Sequence, residues 1–221
     1  MNDDHEHGPA HDHSHPAGQR HPFQPDVDDT LTYPRKLEIA LRELLIEKGI
    51  FTADEIRAAV EAMDARVPAR GAAVIAHAWI DPTFKAALLA DAGAACASMG
   101  VDLGESELKL VAVENTPQVH NVIVCTLCSC YPRGLLGLPP AWYKSFAYRS
   151  RVVSEPRAVL AEFGLVLPDD VSVRVHDSTA DLRYLVIPMR PEETEGMSEA
   201  ELAELVTRDS MVGVAQARRP G

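Results

Sequence analysis

The run Val122-Ile123-Val124-Cys125-Thr126-Leu127-Cys128-Ser129-Cys130-Tyr131-Pro132 is the most informative stretch of this 221-residue chain. Residues 122–124 are consecutive β-branched apolar residues, the pattern of a short strand that is buried on both faces. Cys125 follows directly, and two further cysteines come soon after it. The run therefore predicts a buried strand that leads into a loop with three thiols, which we call the cysteine claw (Cys125, Cys128 and Cys130).

The part of the chain before this run has the pattern of helices. Residues 31–103 place apolar side chains at helical spacing in three predicted helices. The second helix is expected to end at Pro68, because proline interrupts helices. The third is expected to begin at Asp81-Pro82 and to continue unbroken to Gly100. We expect Cys96, within this last helix, to be ordinary core packing.

The claw belongs to a second part in which strands and helices alternate. The predicted strands are residues 108–113, 122–124, 171–175 and 182–187, and the predicted helices are residues 156–163 and a segment after Ser198. We therefore predict an α+β fold, in which a helical N-terminal segment precedes a metal-binding catalytic domain at residues 104–215.

The two ends of the chain lack the apolar residues needed for a core. Residues 1–30 contain six of the nine histidines among acidic residues, proline and glycine, which predicts a disordered His-rich tail. This tail is either a loose collector of divalent metal or a solubilising segment, and the sequence leaves that choice open. Residues 216–221 are expected to form a C-terminal tail.

Composition excludes some classes of function. The formal net charge of −12 argues against nucleic-acid binding, which needs a basic surface. The chain contains no apolar run long enough to span a membrane. Its first residues lack the basic and apolar regions of a secretory signal, so we expect a cytoplasmic protein. In that reducing compartment, three close cysteines indicate a metal-binding or catalytic site.

The spacing of the claw suits more than one metal. Zinc or an iron–sulfur cluster needs a fourth ligand, for which His120 and Cys96 are the candidates. Alternatively, the backbone amide nitrogens of Ser129 and Cys130 could join the three thiolates around a trivalent ion such as Co(III) or Fe(III). An ion held in that way keeps one position open for water or a substrate. Spacing alone does not decide between these alternatives.

The run as a whole resembles the metal-binding segment of the nitrile hydratase alpha subunit. Thr126 and Tyr131 are similar to the cobalt-type version of that segment rather than to the iron type. The resemblance extends to residues 114–117 with His120 and Asn121, and to residues 137–145, 148–153 and 208–214, and in all it covers about residues 31–215.

This resemblance implies a ligand set and an activity. Cys125, Cys128, Ser129 and Cys130 would hold one cobalt(III), rather than iron(III), per subunit. Cys125 would remain a thiolate, whereas Cys128 would be a sulfinic acid and Cys130 a sulfenic acid. Cys130, Cys128 and Ser129 would then be the catalytic residues that hydrate a nitrile to an amide. The nucleophile is either the Cys130 sulfenate oxygen or a metal-activated water.

The resemblance also implies a fold and partners. The domain would have α/β/β/α-type layers. The chain would pair with a nitrile hydratase beta subunit, as a heterodimer or an α2β2 heterotetramer. A small nitrile would be the substrate, and a cobalt-insertion activator protein would load the metal. Neither nucleic acid nor a membrane is expected as a partner.

Two departures from the family pattern leave other functions open. Arg133 follows Tyr131-Pro132 where many nitrile hydratases have tryptophan, and residues 104–107 lack the family's glutamine. Arg133 and the His-rich tail also resemble the gamma subunit of thiocyanate hydrolase, whose anionic substrate a cation would favour. A non-catalytic cobalt carrier is a third hypothesis.

Further residues have expected roles that are mainly structural. We expect Asp177 and Arg183 to pair with each other or to cap strand ends. Trp142 and Tyr143 are expected in the core or a subunit interface rather than in a pocket. For Arg149 the sequence leaves a structural role and a role at the site open.

Overall fold

A computed structural model describes residues 32–64, 66–104 and 109–221 of the chain. The predicted tail at residues 1–30 and most of the departure at residues 104–107 lie outside these described residues, as does the start of the strand predicted at residue 108. Contacts divide the chain into two units, residues 1–52 and residues 53–221, and each is considered by itself.

The helices of the described residues are α1 (Tyr33–Glu47), α2 (Ala53–Asp64), α3 (Pro68–Ile80), α4 (Pro82–Ala90), α5 (Ala92–Ser98), α6 (Arg133–Leu136), α7 (Ala141–Lys144), α8 (Phe146–Arg151), α9 (Pro156–Glu162), α10 (Glu199–Leu205) and α11 (Arg208–Val212). The strands are β1 (Leu110–Glu114), β2 (Val119–Val124), β3 (Ser172–Asp177) and β4 (Arg183–Ile187). None of the helices in the described part of the chain has the length and apolar character that a membrane span requires.

Helix α1 is the main element of the first unit. Its leucines lie at helical spacing, and Leu37, Leu41 and Leu44 among them are exposed. No residue of the helix is buried. The helix ends just before Gly49, which has a positive φ of 66°. Glycine adopts this left-handed conformation without the steric penalty that a Cβ would introduce.

Two of the predicted helix boundaries are wrong. Pro68 does not end α2, which stops at Asp64, but begins α3, because proline at the first helical position lacks only an N–H that has no intrahelical partner there. The single helix predicted from Pro82 to Gly100 is two helices. Asp91 has extended backbone between them, and its carboxylate accepts a hydrogen bond from the Ala94 N–H at 3.0 Å. This N-cap starts α5 as a separate helix.

The strands form two parallel pairs rather than one sheet. β1 pairs with β4, with Leu110 opposite Arg183 and Glu114 opposite Ile187. β2 pairs with β3, with Val119 opposite Ser172 and Val124 opposite Asp177. The prediction of an α+β fold is confirmed by this mixture of helices and small sheets. The α/β/β/α layering stays a prediction.

Strand β2 lies at the centre of the core. Val122, Ile123 and Val124 are all fully buried, which confirms the prediction of a strand covered on both faces. The same core contains buried side chains from α3, α5, α9, α11 and strands β1 and β4. At about 25 cal/mol per Å² of apolar surface removed from water, such burial is the main stabilising contribution in this region. A rigid strand therefore leads directly into the claw.

Four short helices were not predicted from the sequence. α6, α7 and α8 follow the claw within residues 133–151, and α11 follows α10. Each has only four to six residues, which is too short for a helical period to be recognisable. The helix predicted after Ser198 is confirmed as α10, and Ser198 and Glu201 form its capping box.

Candidate metal centre

The three claw sulfurs are gathered in the loop that leaves β2. All three lie within 4.8 Å of one another. The Sγ atoms of Cys125 and Cys128 are 3.5 Å apart, and those of Cys128 and Cys130 are 3.3 Å apart. Cys125 is buried, Cys130 is half-buried and Cys128 is exposed. The cluster is thus fixed in the core on one side and accessible on the other.

The surroundings of Cys128 and Cys130 make these two thiols unequal as acids. Hydrogen bonds from the Cys130 thiol, from the backbone of Ser129 and from Cys125 lower the pKa of Cys128 to about 7. Burial, together with the neighbouring thiols of Cys128 and Cys125, raises the pKa of Cys130 to about 12. Cys128 is therefore the first of these two groups to become a thiolate, which is the form that binds a metal.

The claw loop is tied to the end of β3. The Asp177 carboxylate accepts hydrogen bonds from the backbone N–H of Thr126 at 2.9 Å and from its hydroxyl at 2.6 Å. The N–H of Ser178 donates to the Val124 carbonyl at 2.7 Å. The residues on either side of Cys125 are therefore both held by the strand that pairs with β2.

Side chains from the helices after the claw hold it from the other side. Arg149 donates to the Thr126 carbonyl at 3.1 Å. The hydroxyl of Tyr143 donates to the Cys130 carbonyl at 2.8 Å, and that of Tyr148 donates to the Ile123 carbonyl at 2.7 Å. Both tyrosines are buried and pack against each other. Side chains of the chain itself thus hold the claw backbone, and such support lowers the entropic cost of ordering a ligand set.

The candidates for a fourth zinc ligand are elsewhere. His120 lies near the start of β2, where its Nε2 donates to the Gly213 carbonyl at 2.7 Å and its Nδ1 lies 3.2 Å from the Asn115 amide nitrogen. Cys96 is fully buried in α5, as predicted. Among the described residues, the group that could hold a metal consists of the three claw cysteines. Neither candidate completes a tetrahedral zinc site.

Several residues around the site have contacts that the sequence did not specify. Asp177 does not pair with Arg183 but binds Thr126, and Tyr143 is both a core residue and a donor to the claw. Arg149 contacts the claw loop, whereas Arg151 at the end of α8 pairs with Glu155, just before α9, and with Glu162 at the end of α9. Only the parallel pairing of β2 with β3 would have revealed Asp177, and sequence patterns do not give that pairing.

Comparison with known proteins identifies relatives over most of the chain. The family model described as "Nitrile hydratase, alpha chain" matches residues 32–215. The low-molecular weight cobalt-containing nitrile hydratase subunit alpha of Rhodococcus rhodochrous is 50% identical over 182 residues, which is 82% of this chain and 87% of that protein. The resemblance inferred from the claw and its flanking segments is confirmed.

The chain is also similar to proteins named for a different activity or metal type. Thiocyanate hydrolase subunit gamma of Thiobacillus thioparus is 45% identical over 189 residues, covering 81% of this chain and 78% of that protein. The structure of a double mutant of the Fe-type nitrile hydratase from Comamonas testosteroni Ni1 has a TM-score of 0.81 and 42% sequence identity, and covers 88% of this chain and 94% of that one.

Proposed function

This chain belongs to the nitrile hydratase alpha chain family, and from that membership we propose that it is the cobalt-bearing subunit of an enzyme that hydrates nitriles to amides. The observation that carries the proposal is the group of three sulfurs within 4.8 Å in the loop after β2. The reaction adds one water to the carbon–nitrogen triple bond, so that R–CN and H2O give R–CO–NH2.

The donor set fits a trivalent transition metal. Cys125, Cys128 and Cys130 provide soft sulfur ligands, and the backbone nitrogens of Ser129 and Cys130 lie between two of them. In this proposal cobalt(III), one per chain, is favoured over iron(III) by Thr126 and Tyr131 and by the cobalt-containing relative. When bound, the ion supplies a Lewis acid for a small polar ligand.

The chain's own residues keep this ligand set rigid. Asp177 and Arg149 hold the backbone of Thr126, while Tyr143 holds the carbonyl of Cys130. Because Cys128 is exposed and Cys125 is buried, a substrate reaches the claw from the Cys128 side. We propose Cys130, Cys128 and Ser129 as the catalytic residues. The nucleophile is the Cys130 sulfenate oxygen or a water molecule.

We further propose that Cys128 is a sulfinic acid and Cys130 a sulfenic acid in the active enzyme. Oxygen atoms on sulfur would add strong hydrogen-bond acceptors at the exposed side of the claw. Peptide mass mapping under inert gas is expected to find two added oxygens on Cys128 and one on Cys130. Full activity with three unmodified thiols would contradict this part of the proposal.

A beta-type partner subunit is proposed to cover the claw. Large apolar side chains are exposed near it in sequence: Leu127 is 84% exposed in the claw loop, and Phe146 is 77% exposed at the start of α8. Exposed apolar side chains and an accessible ligand set together favour closure by another chain. The assembly would be a heterodimer or an α2β2 heterotetramer, and a separate activator protein would insert the cobalt.

The decisive experiment combines metal analysis with an activity assay. The chain is expressed in cobalt medium with and without its partner subunit, and acetonitrile hydration is measured per bound cobalt. With the activator protein expressed in both samples, we expect about one cobalt per chain in each and hydration only with the partner. Rapid hydration by the chain alone would refute a shared site. Cobalt that is lost quickly to a chelator would instead favour a metal carrier.

A second candidate function is that of a thiocyanate hydrolase metal subunit. It is supported by the 45% identity to subunit gamma and by Arg133, which follows the claw and is exposed. An exposed cation near the site would attract an anionic substrate. Parallel assays of acetonitrile and thiocyanate on the same assembly distinguish the two functions, since we expect the nitrile to have the higher kcat/KM.

A further inference from the structure

A cavity of about 260 Å³ lies near the start of β2. Its wall is built from residues close to the start of β2, from the segment after β4 and from the C-terminal segment. His120 belongs to this wall, and Cys125 follows it by five positions along an extended strand. That separation corresponds to about 16 Å at roughly 3.3 Å per residue. The cavity is therefore distinct from the metal centre at the other end of β2.

Two buried polar side chains form part of the cavity wall. Asn115 is 7% exposed and His120 is 5% exposed. Because His120 donates through Nε2 to the Gly213 carbonyl, its Nδ1 accepts an N–H of the Asn115 amide, 3.2 Å away. A side-chain amide carries a second N–H, and that one has no acceptor within the described part of the chain. Asn115 thus keeps one hydrogen-bond donor at the cavity.

Arg190 contributes an anchored positive charge to the same wall. Its Nε donates to the Thr194 hydroxyl at 2.8 Å, its Nη2 to the Thr194 carbonyl at 2.7 Å, and its Nη1 to the Trp79 carbonyl at 3.4 Å. An arginine side chain carries five N–H donors, so these three bonds leave donors unused. All three acceptors are uncharged oxygens, and none of them neutralises the guanidinium. The cavity therefore contains a held cation with spare donors.

Another part of the wall is apolar. The apolar residues that line it are Pro188, Met189, Pro191 and Pro220. Pockets for drug-sized ligands have volumes of about 300–1,000 Å³, so a cavity of about 260 Å³ suits a smaller molecule. A small occupant with an apolar body and one polar end matches this combination of walls.

The charged side chains at the rim do not decide which polar end fits. Arg219, Glu192 and Glu193 line the cavity, and all three are exposed. Exposed charges are solvated and contribute little to binding. The more shielded groups, Asn115 and Arg190, both present donors rather than acceptors. A carboxylate complements them, because its two oxygens only accept hydrogen bonds.

We propose that this cavity binds a small carboxylate, whose apolar body packs against the proline-rich wall and whose oxygens accept from Arg190 and Asn115. A guanidinium suits the task because its planar N–H groups match the geometry of a carboxylate. The C-terminal part of the wall is held by the Arg218 N–H, which donates to the Leu205 carbonyl at 2.8 Å. The site needs neither cobalt nor the proposed reaction, and its occupation stabilises the fold by mass action.

The test measures binding of benzoate to the full chain without cobalt, by titration calorimetry. Benzamide, which is neutral and similar in size, and benzylamine, which is a cation, are the comparison ligands. We expect benzoate to bind with a Kd on the order of 1 mM and to raise the melting temperature. Benzamide should bind roughly 10- to 100-fold more weakly, the usual effect of a hydrogen bond to a charged group, and benzylamine should not bind. Equal affinities for benzoate and benzamide would contradict the assignment of a carboxylate.

Variants of the wall locate the binding site. Arg190→Gln should weaken benzoate binding by about 10- to 100-fold. Arg174→Gln is the control for loss of charge and should bind benzoate as the wild type does, because Arg174 is exposed on β3 and does not line the cavity. If Arg190→Gln does not fold, Ala217→Trp replaces it, since Ala217 lines the cavity and an indole would fill it. A folded Arg190→Gln or Ala217→Trp variant with wild-type affinity for benzoate would refute the site.

The cobalt-loaded assembly tests that the cavity and the claw are separate. Benzoate should leave the KM for acetonitrile unchanged, because the two sites lie at opposite ends of β2. A competitive rise in KM, together with full benzoate binding by Arg190→Gln, would place benzoate at the claw and overturn the proposal. An assembly that hydrates no nitrile would contradict the proposed function instead, and the titrations of the cobalt-free chain would still decide whether the cavity binds a carboxylate.

Discussion

Polar groups anchor β2 at both of its ends, but the two ends differ in how completely those groups are satisfied. At the first end His120 donates to the Gly213 carbonyl, and the Asn115 amide oxygen accepts from the N–H and the side chain of Asn121. His176 of β3 completes the network through the Asn121 side-chain oxygen, 2.8 Å away. Every member of this network has a partner within the chain.

The polar groups at the claw end of β2 are less completely hydrogen-bonded. The Tyr131 hydroxyl is buried and has no hydrogen-bond partner among the described residues. The sulfurs contact mainly one another, and Cys128 is exposed. Buried polar groups in folded proteins are nearly always paired, so a site that departs from this rule is a candidate for function. The hydrogen bonds at the first end therefore stabilise the fold, whereas the exposed sulfur of Cys128 at the claw end is consistent with the proposed functional site.

The largest effect expected is on activity at the claw end. Cys130→Ser removes a proposed metal ligand together with the proposed sulfenate, so turnover in the cobalt-loaded assembly should fall by about 100-fold or more. Cys96→Ala is the control, since Cys96 is buried in α5 and lies outside the claw. It should leave turnover per cobalt unchanged. More than about a tenth of wild-type turnover in Cys130→Ser would contradict the assignment.

The next largest effect is expected on the free energy of unfolding, from a substitution at the first end of β2. Gly213 has a φ of +91°, and a Cβ there would lie 2.0 Å from the Asn121 carbonyl oxygen. Gly213→Ala should therefore lower the free energy of unfolding by on the order of 3 kcal/mol. Gly164 has a similar φ of +86° but open space around its Cα.

Gly164→Ala separates the conformational strain from the steric clash. It should lower the free energy of unfolding by only about 1 kcal/mol, because only the positive φ is penalised. Urea unfolding of both variants measures the difference. Equal losses in the two variants would show that the close approach of α11 to β2 does not matter for stability.

Comparison of the two ends also shows which features the sequence predicts. The claw was predictable because its residues are contiguous and their chemistry is specific. The run at residues 122–124 was predictable as buried strand because its three β-branched residues leave no polar face. Both inferences needed only local information, and the family resemblance added the cobalt and the reaction.

The remaining features depend on distant parts of the chain. Asp177 lies opposite Val124 in the register of β2 and β3, 53 positions later in sequence, and no local pattern specifies that register. The boundary between α4 and α5 depends on a single N-cap residue, Asp91, whereas the apolar residues on either side of it keep helical spacing. The side-chain network around Asn115 and His120 likewise needs Gly213, which the sequence places far away.

The pH dependence of stability tests the network at the first end. Burial lowers the pKa of His120 and, together with the charge of Arg174, that of His176. Below about pH 6.5 the unfolded chain therefore binds more protons than the folded chain, and stability falls as the pH falls. The loss is bounded by about 1.4 kcal/mol per pH unit for each histidine.

His120→Gln should remove the contribution of His120 to the pH dependence of the free energy of unfolding. His176→Gln should remove the contribution of His176. The measurement is urea unfolding of each variant between about pH 5 and pH 7. Above that pH window the free energy of unfolding of each variant should differ from that of the wild type only by the loss of the histidine's hydrogen bonds. A wild-type slope retained by His120→Gln would mean that His120 is protonated in the folded chain and that the network tolerates its charge.

The smallest effect expected concerns the two buried tyrosines at the claw end. Tyr148→Phe loses a hydrogen bond to the Ile123 carbonyl and should lower the free energy of unfolding of the isolated chain by about 1–2 kcal/mol. Tyr131→Phe should change it by less than about 0.5 kcal/mol, because that hydroxyl has no partner among the described residues.

The assembled enzyme gives the sharper comparison. The Tyr131 side chain is only 1% exposed in the chain itself, so a partner subunit could reach its hydroxyl only if the claw end rearranged on assembly. A Tyr131→Phe variant that weakens the assembly or its activity while leaving the isolated chain intact would reveal such a rearrangement. If Tyr131→Phe is equally neutral in both states, the unpaired hydroxyl is a tolerated defect of the core, and the claw end is incomplete only at its sulfurs.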